Sequence, residues 1–223
     1  MEGKSDQGRP IVTYLLLALL VLIQFYVSTI PEAEALQLYD LYALFPTKLF
    51  GGVGSEGLVT YMFLHGSWIH FIVNAVSLWG SGGTVEREIG SIQFAIIYLG
   101  SGIVAGLVHS LLHASSSVPL VGASGAIFGV IAVLFLLMPF KVTFTLIIPL
   151  PSVLVGIMLS AMEFSAFWFA SDITVAHDAH LSGFLFGCIS AFAIDRKRAF
   201  KGLVIAIAIS AILYYFGIRL DLI

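Results

Sequence analysis

Three sets of polar residues have the types and spacing to carry out acyl transfer. The first is Ser124, within Val121-Gly122-Ala123-Ser124-Gly125-Ala126-Ile127-Phe128-Gly129. Loop-forming residues precede it (Ser115-Ser116-Ser117-Val118-Pro119), and an apolar run over 126–140 follows. A serine heading a hydrophobic helix meets unpaired backbone N–H groups and the positive end of the helix dipole, a setting that suits a developing oxyanion. The second is His180, within His177-Asp178-Ala179-His180-Leu181-Ser182-Gly183-Phe184-Leu185-Phe186-Gly187. His180, Gly183 and Gly187 are spaced i, i+3, i+7 and share one helix face. The two glycines make a small-residue strip that lets another backbone approach closely. Gly125 and Gly129 form a matching strip directly after Ser124. Packed together, the strips bring His180 within reach of Ser124 Oγ, giving a nucleophile and its base. The third set is His70 and Asn74, spaced i, i+4, whose donors suit an oxyanion alongside the Ser124 N–H. Taken singly, these features read as a Ser N-cap, a buried histidine and an interhelical hydrogen bond. Two glycine strips, each headed by a catalytic residue type, favour the chemical reading.

The elements that must position these groups are membrane helices. Of 223 residues, 59% are hydrophobic and 10% charged, against about 25% charged in ordinary soluble domains. An integral membrane protein follows. The net charge of −3 forms no patch, which argues against nucleic acid as a partner. Cys188 is the single cysteine, so there is no internal disulfide, and a thiol metal site is disfavoured.

Seven apolar segments cover residues 11–28, 58–81, 92–113, 125–140, 143–170, 177–194 and 202–218. Pro149 and Pro151 should kink or restart the fifth near one end. The connection 29–57 is too apolar for a solvated loop and reads as a structured interfacial element rich in Tyr and Phe. At about 1.5 Å per residue the apolar run 126–140 spans about 23 Å, short of the ~30 Å hydrocarbon core, so Ser124 should lie below the membrane surface. With the N-terminus in the cytoplasm, that side holds Lys4, Arg9, Arg87, Lys141, Arg196, Lys197, Arg198 and Lys201, and the other only Lys48 and Arg219. This positive-inside bias puts the entrance to Ser124 on the extracytoplasmic side. No internal repeat is found, which weakens a reading as an inverted-repeat transporter.

With these residues in view, the chain resembles a rhomboid intramembrane serine protease. The family's marks occur in order: His70-x-x-x-Asn74, Gly122-Ala123-Ser124-Gly125, and Ala179-His180-x-x-Gly183-x-x-x-Gly187. The stretch 80–90 resembles the family's turn after the second helix. The resemblance covers residues 61–194 and implies an all-α polytopic fold, with a six-helix core and one appended C-terminal helix. It divides the chain into a cytoplasmic tail (1–10), a catalytic core (11–194), a basic linker (195–201) and a seventh helix (202–223). It further implies a Ser124–His180 dyad without a third acid, an oxyanion hole from Asn74, His70 and the Ser124 N–H, and no cofactor or metal. Phe128 matches an aromatic that stacks on the family's histidine. The implied partners are the lipid bilayer and single-span membrane proteins, cut near their extracytoplasmic ends. The expected location is the plasma or inner membrane of a prokaryotic cell. One departure lies in the first loop: many relatives carry a Trp-Arg pair there, and this chain has no Trp and only Lys48.

Two other functional classes compete. A rhomboid-like protein that binds membrane helices without cutting them is expected to lack Ser124, His180 or their glycines, all present here. A metal transporter could use His109 with His113, or His177 with His180. Against it, no intramembrane carboxylate is expected beside those histidines. Glu163 is expected in a water-filled gap or paired locally, and His109 and His113 at a helix end facing the interface. Glu86 should tie its turn to neighbouring backbone or to Arg87, and Cys188 should serve packing.

Overall fold

The computed structural model describes residues 8–146, 148–169 and 175–219. Most of the expected tail, residues 170–174 and the last four residues of the expected seventh helix therefore lie outside the described residues. The fold is all-α and polytopic, with one small hairpin. Helix α1 (Ile11–Thr29) is followed by three short helices, α2 (Glu32–Tyr42), α3 (Pro46–Phe50) and α4 (Gly57–Thr60), and a 3₁₀ turn at Tyr61–Phe63. Next come α5 (Trp68–Ile89), α6 (Ser91–Leu112) and α7 (Ser124–Leu137). The antiparallel strands β1 (Val142–Leu146) and β2 (Ile148–Pro151) precede α8 (Ser152–Phe169), α9 (His177–Ile194) and α10 (Arg196–Arg219). Helices α1, α6, α8 and α10 have the length and apolar character to cross a membrane.

Helix α7 is the centre. Every residue from Gly125 to Leu137 is buried, and α5, α6, α8, α9 and α10 pack around it. A helix that is apolar on all sides can only be satisfied this way. Its 14 residues rise about 21 Å.

Three expected boundaries are corrected. The second span does not begin at 58. Residues 57–63 form α4 and the turn, with Tyr61 and Met62 buried, and α5 starts at Trp68, where the Ser67 hydroxyl accepts from the His70 N–H at 3.1 Å. Nor does the chain turn over 80–89. The helix continues to Ile89 and ends at Gly90, whose φ of +89° favours glycine. The earlier glycines instead allow close packing: a Cβ on Gly80 would meet the Phe144–Thr145 backbone at 2.9 Å, and one on Gly82 would meet Thr13 at 3.1 Å. Finally, residues 143–146 and 148–151 are strand rather than helix. The β-branched Val142, Thr143 and Thr145 suit a strand, and Pro149 and Pro151 delay the helix until Ser152. The hairpin docks on α5: Thr143 Oγ donates to the Gly80 carbonyl and Ser77 Oγ to the Thr145 carbonyl, both at 3.0 Å.

The basic stretch after 195 is also helical, as the first turns of α10. There Arg198 donates to Glu88 at 2.7 Å and to the Leu137 carbonyl at the end of α7 at 3.0 Å. Cys188 is partly buried against the core.

The first connection is held without a Trp-Arg pair. Leu44 and Leu120 exchange backbone hydrogen bonds of 3.1 and 2.8 Å, Tyr39 Oη donates to the His65 carbonyl at 2.6 Å, and Lys48 Nζ bonds Asp40 at 2.6 Å while lying over the Phe45 ring. Glu86 does more than tie its own turn. Its buried carboxylate accepts from the Val12 N–H (2.9 Å), the Thr13 N–H and hydroxyl (2.7 Å each) and the Ser91 hydroxyl (2.6 Å), so it joins α1, α5 and α6. Leaving a buried donor unpaired costs about 1–3 kcal/mol, whereas a partly exposed pair such as Glu88–Arg198 is worth about 0–1 kcal/mol. Glu86→Ala is therefore expected to lower the thermal midpoint of the detergent-solubilised protein much more than Glu88→Ala, and equal midpoints for the two variants would contradict the assignment.

Candidate active site

Ser124 is the first residue of α7, so its N–H has no partner within the helix. The preceding loop is fixed by Gly122, whose φ of +116° is reserved for glycine. Its N–H donates to the Tyr61 carbonyl at 2.9 Å, and a Cβ there would meet the His70 ring at 2.6 Å. The His70 imidazole is thus pressed against the chain two residues before Ser124. His65, which the sequence reading did not single out, packs edge-on against its other side with centroids 5.1 Å apart.

The two glycine strips pack face to face. A Cβ on Gly183 would collide with the Gly125 carbonyl, and one on Gly187 with the Gly129 carbonyl. This contact brings His180 Nε2 to 2.7 Å from Ser124 Oγ. Phe128 stacks on the imidazole with centroids 4.5 Å apart and planes inclined by 8°. Asn74 is buried one turn after His70, and its amide donates one N–H to the His70 carbonyl at 2.9 Å. Its second N–H remains for another acceptor.

The structure overturns the expectation that the histidines lack carboxylates. Glu163, on α8, reaches back to α9. Its Oε2 lies 2.6 Å from His177 Nδ1, and its Oε1 is 3.0 Å from His180 Nδ1. The second contact is at ion-pair distance but off the line a hydrogen bond would need. A carboxylate therefore stands beside the histidine where the resemblance implies no third acid. Asp178, two residues before His180, is buried and meets His109 Nδ1 at 2.9 Å and His113 Nε2 at 3.4 Å. His109 is accordingly half-buried and paired with Asp178, while His113 is exposed at the helix end, as expected. These partners lie 14 and 69 residues apart in sequence. The available signal was the cost of an isolated charge inside a span, which demands a partner without naming it.

A family profile described as "Rhomboid domain" matches residues 55–197. The chain belongs to the rhomboid family. It is similar to rhomboid protease GluP of Bacillus subtilis (strain 168), 28% identical over 221 residues, covering 96% of this chain and 42% of that protein. Rhomboid protease GlpG of Photorhabdus laumondii subsp. laumondii is 28% identical over 149 residues, covering 64% of this chain and 48% of the relative. RHOMBOID-like protein 4 of Arabidopsis thaliana is 40% identical over 80 residues, 35% of this chain and 20% of the relative. This rhomboid thus spans less than half the length of these relatives. The family and its apolar helices make it an integral membrane protein.

Gly183→Val would force α9 away from the Gly125 carbonyl, and a displacement of about 1 Å can cost about a hundredfold in rate. The variant is expected to lose labelling of Ser124 by a fluorophosphonate probe. Labelling at the normal rate would mean that the helices had stayed together.

Proposed function

We propose that this rhomboid is an intramembrane serine endopeptidase that cuts single-span membrane proteins near their extracytoplasmic ends. The observation that carries the reading is the 2.7 Å approach of His180 Nε2 to Ser124 Oγ at the head of a short, fully enclosed helix. Depth matters because a peptide bond of a membrane helix is reached only by a nucleophile that is itself below the surface.

In the proposed reaction His180 Nε2 takes the proton of Ser124 as Oγ attacks the scissile carbonyl carbon. The carbonyl oxygen becomes an oxyanion facing the Ser124 N–H, the free N–H of Asn74 and the His70 ring. Collapse breaks the C–N bond, and His180 returns the proton to the leaving amine. Water, deprotonated by the same imidazole, then hydrolyses the acyl-enzyme. Phe128 fixes the plane of the imidazole by stacking. Glu163 acts as a positioning residue: a carboxylate beside Nδ1 favours the tautomer with the proton on Nδ1, leaving Nε2 free to accept, and offsets the charge of the imidazolium. The distribution of Lys and Arg supports an N-terminus in the cytoplasm, with the site opening to the other side. A prokaryotic plasma or inner membrane is the location we infer.

The test is incubation of the purified chain with a labelled single-span substrate. Ser124→Ala and His180→Ala are expected to abolish cleavage with the thermal midpoint preserved, and activity surviving in either removes the pair. His177→Ala should retain measurable cleavage, since His177 touches Glu163 and not the serine. Asn74→Ala should slow turnover by less than the ~2.7–4 kcal/mol typical of a lone oxyanion donor, because two other donors share the load. An unchanged kcat would remove Asn74 from the site.

Glu163→Gln should lower kcat at least tenfold with KM unchanged. That is less than the ~10⁴ lost with an aligned triad acid, since its contact to His180 lies off the hydrogen-bond line. A KM rise at constant kcat would assign Glu163 to substrate binding instead.

A further inference from the structure

The ends of α6 and α9 that flank the catalytic helix carry a group of side chains that the proposed proteolysis does not use. His109 lies in the last turn of α6 and His113 is the residue that caps its end, with rings 4.6 Å apart. Opposite them, in the first turn of α9, stands the buried carboxylate of Asp178. One oxygen of that carboxylate, Oδ2, is shared: it lies 2.9 Å from His109 Nδ1 and 3.4 Å from His113 Nε2. One ligand atom from each of the three residues lies within 4.8 Å of the others.

We propose that His109, His113 and Asp178 form a site for a divalent transition-metal ion of the zinc class, which fastens the end of α6 to the head of α9. Zinc binds imidazole nitrogen and carboxylate oxygen at about 2.0–2.2 Å in a tetrahedron, so neighbouring ligand atoms stand roughly 3.3–3.5 Å apart. The 3.4 Å between Oδ2 and His113 Nε2 already matches that, and the 2.9 Å to His109 Nδ1 would lengthen as the ion replaces the hydrogen bond. A hydrogen-bonded pair would explain His109 alone, for which 2.9 Å is a good distance. It does not explain a second imidazole nitrogen directed at the same oxygen from 3.4 Å, too long to be a useful hydrogen bond. Two imidazoles and one carboxylate leave the fourth position to water, and the exposed His113 gives the ion a way in. The choice of nitrogen and oxygen donors without thiolate fits zinc and its neighbours rather than calcium or magnesium, which prefer all-oxygen sites.

The second histidine–carboxylate group, Glu163 with His177 and His180, is a poorer metal site. Its two carboxylate oxygens are divided between the two histidines, and His180 Nε2 is already engaged with Ser124. The proposed ion is structural: it takes no part in peptide cleavage, and Asp178 lies two residues from His180, so the ion steadies the helix that presents the base.

The experiment uses the full chain in detergent, stripped with EDTA and titrated with ZnCl₂. Thermal midpoint is one readout, and the visible absorption of Co²⁺ substituted for Zn²⁺ is the other. Zinc is expected to raise the midpoint and cobalt to give the intense bands of a tetrahedral ion. Loss of outer-shell partners alone costs roughly 10–100-fold in metal affinity, so His113→Ala and His109→Ala should each weaken binding by about a hundredfold or more. Glu163→Gln should bind as the unaltered chain does. Fluorophosphonate labelling of Ser124 in His113→Ala verifies that this exposed position has been changed without loss of the fold. The proposal fails if the unaltered chain shows neither signal. It fails equally if the signals survive both histidine substitutions, or if Glu163→Gln abolishes them.

Discussion

The contact between the backbones of α7 and α9 is the constraint on which the rest of this rhomboid depends. Gly125 and Gly129 face Gly183 and Gly187 so closely that a single Cβ on α9 would strike a carbonyl oxygen of α7. In a bilayer there is little hydrophobic gain from joining two apolar helices, so van der Waals contact at short range has to hold them. The glycines supply that contact and also set the separation of the residues that precede them. Ser124 sits immediately before one strip and His180 three residues before the other, so the 2.7 Å between their side chains follows from the approach of the two backbones. Gly202 repeats the device on another face of α7, lying against the Leu136 carbonyl.

Around this apolar centre, each buried carboxylate joins helices distant in sequence. Glu86 binds α1 and α6 to α5 through four donors. Asp178 joins α9 to α6, and Glu163 joins α8 to α9. An uncompensated charge at these depths would cost several kcal/mol, so the partners are as necessary as the charges. The Asp178 and Glu163 groups lie at the Ser124 end of the bundle, where four histidines meet two carboxylates. Titratable groups are thereby concentrated where a hydrolytic reaction would need water and proton carriers, and α7 itself carries no polar side chain after Ser124.

Several features were legible from residue order because their physics is local. Long apolar runs bounded by turn residues define α1, α6 and α9 to within a residue or two. Gly-x-x-x-Gly spacing places small residues on one face of any helix, so the strips were visible before their pairing was known. Phe128 follows Ser124 by one turn for the same reason of helical repeat.

Where local physics was ambiguous, only the tertiary structure decided. Residues 58–63 are as apolar as a span, yet they turn, because Met62 and Tyr61 are seated against Gly102 and Gly106 of α6. The stretch 143–151 is equally apolar and becomes a hairpin, because Gly80 leaves room for its backbone and Ser77 and Thr143 bond across the gap. The glycines between 80 and 83, which the resemblance put in a turn, serve packing instead. The partners of Glu163 and Asp178 were beyond reach for a related reason. The need for a counter-charge is a property of the residue, but its identity depends on which helices become neighbours. The sequence by itself determined the membrane helices, the glycine strips and the candidate nucleophile and base, since composition and helical period suffice for these. The carboxylates beside the histidines, the hairpin and the true start of α5 were decided by the packed fold, since they arise from contacts between segments whose spacing along the chain carries no periodic signal.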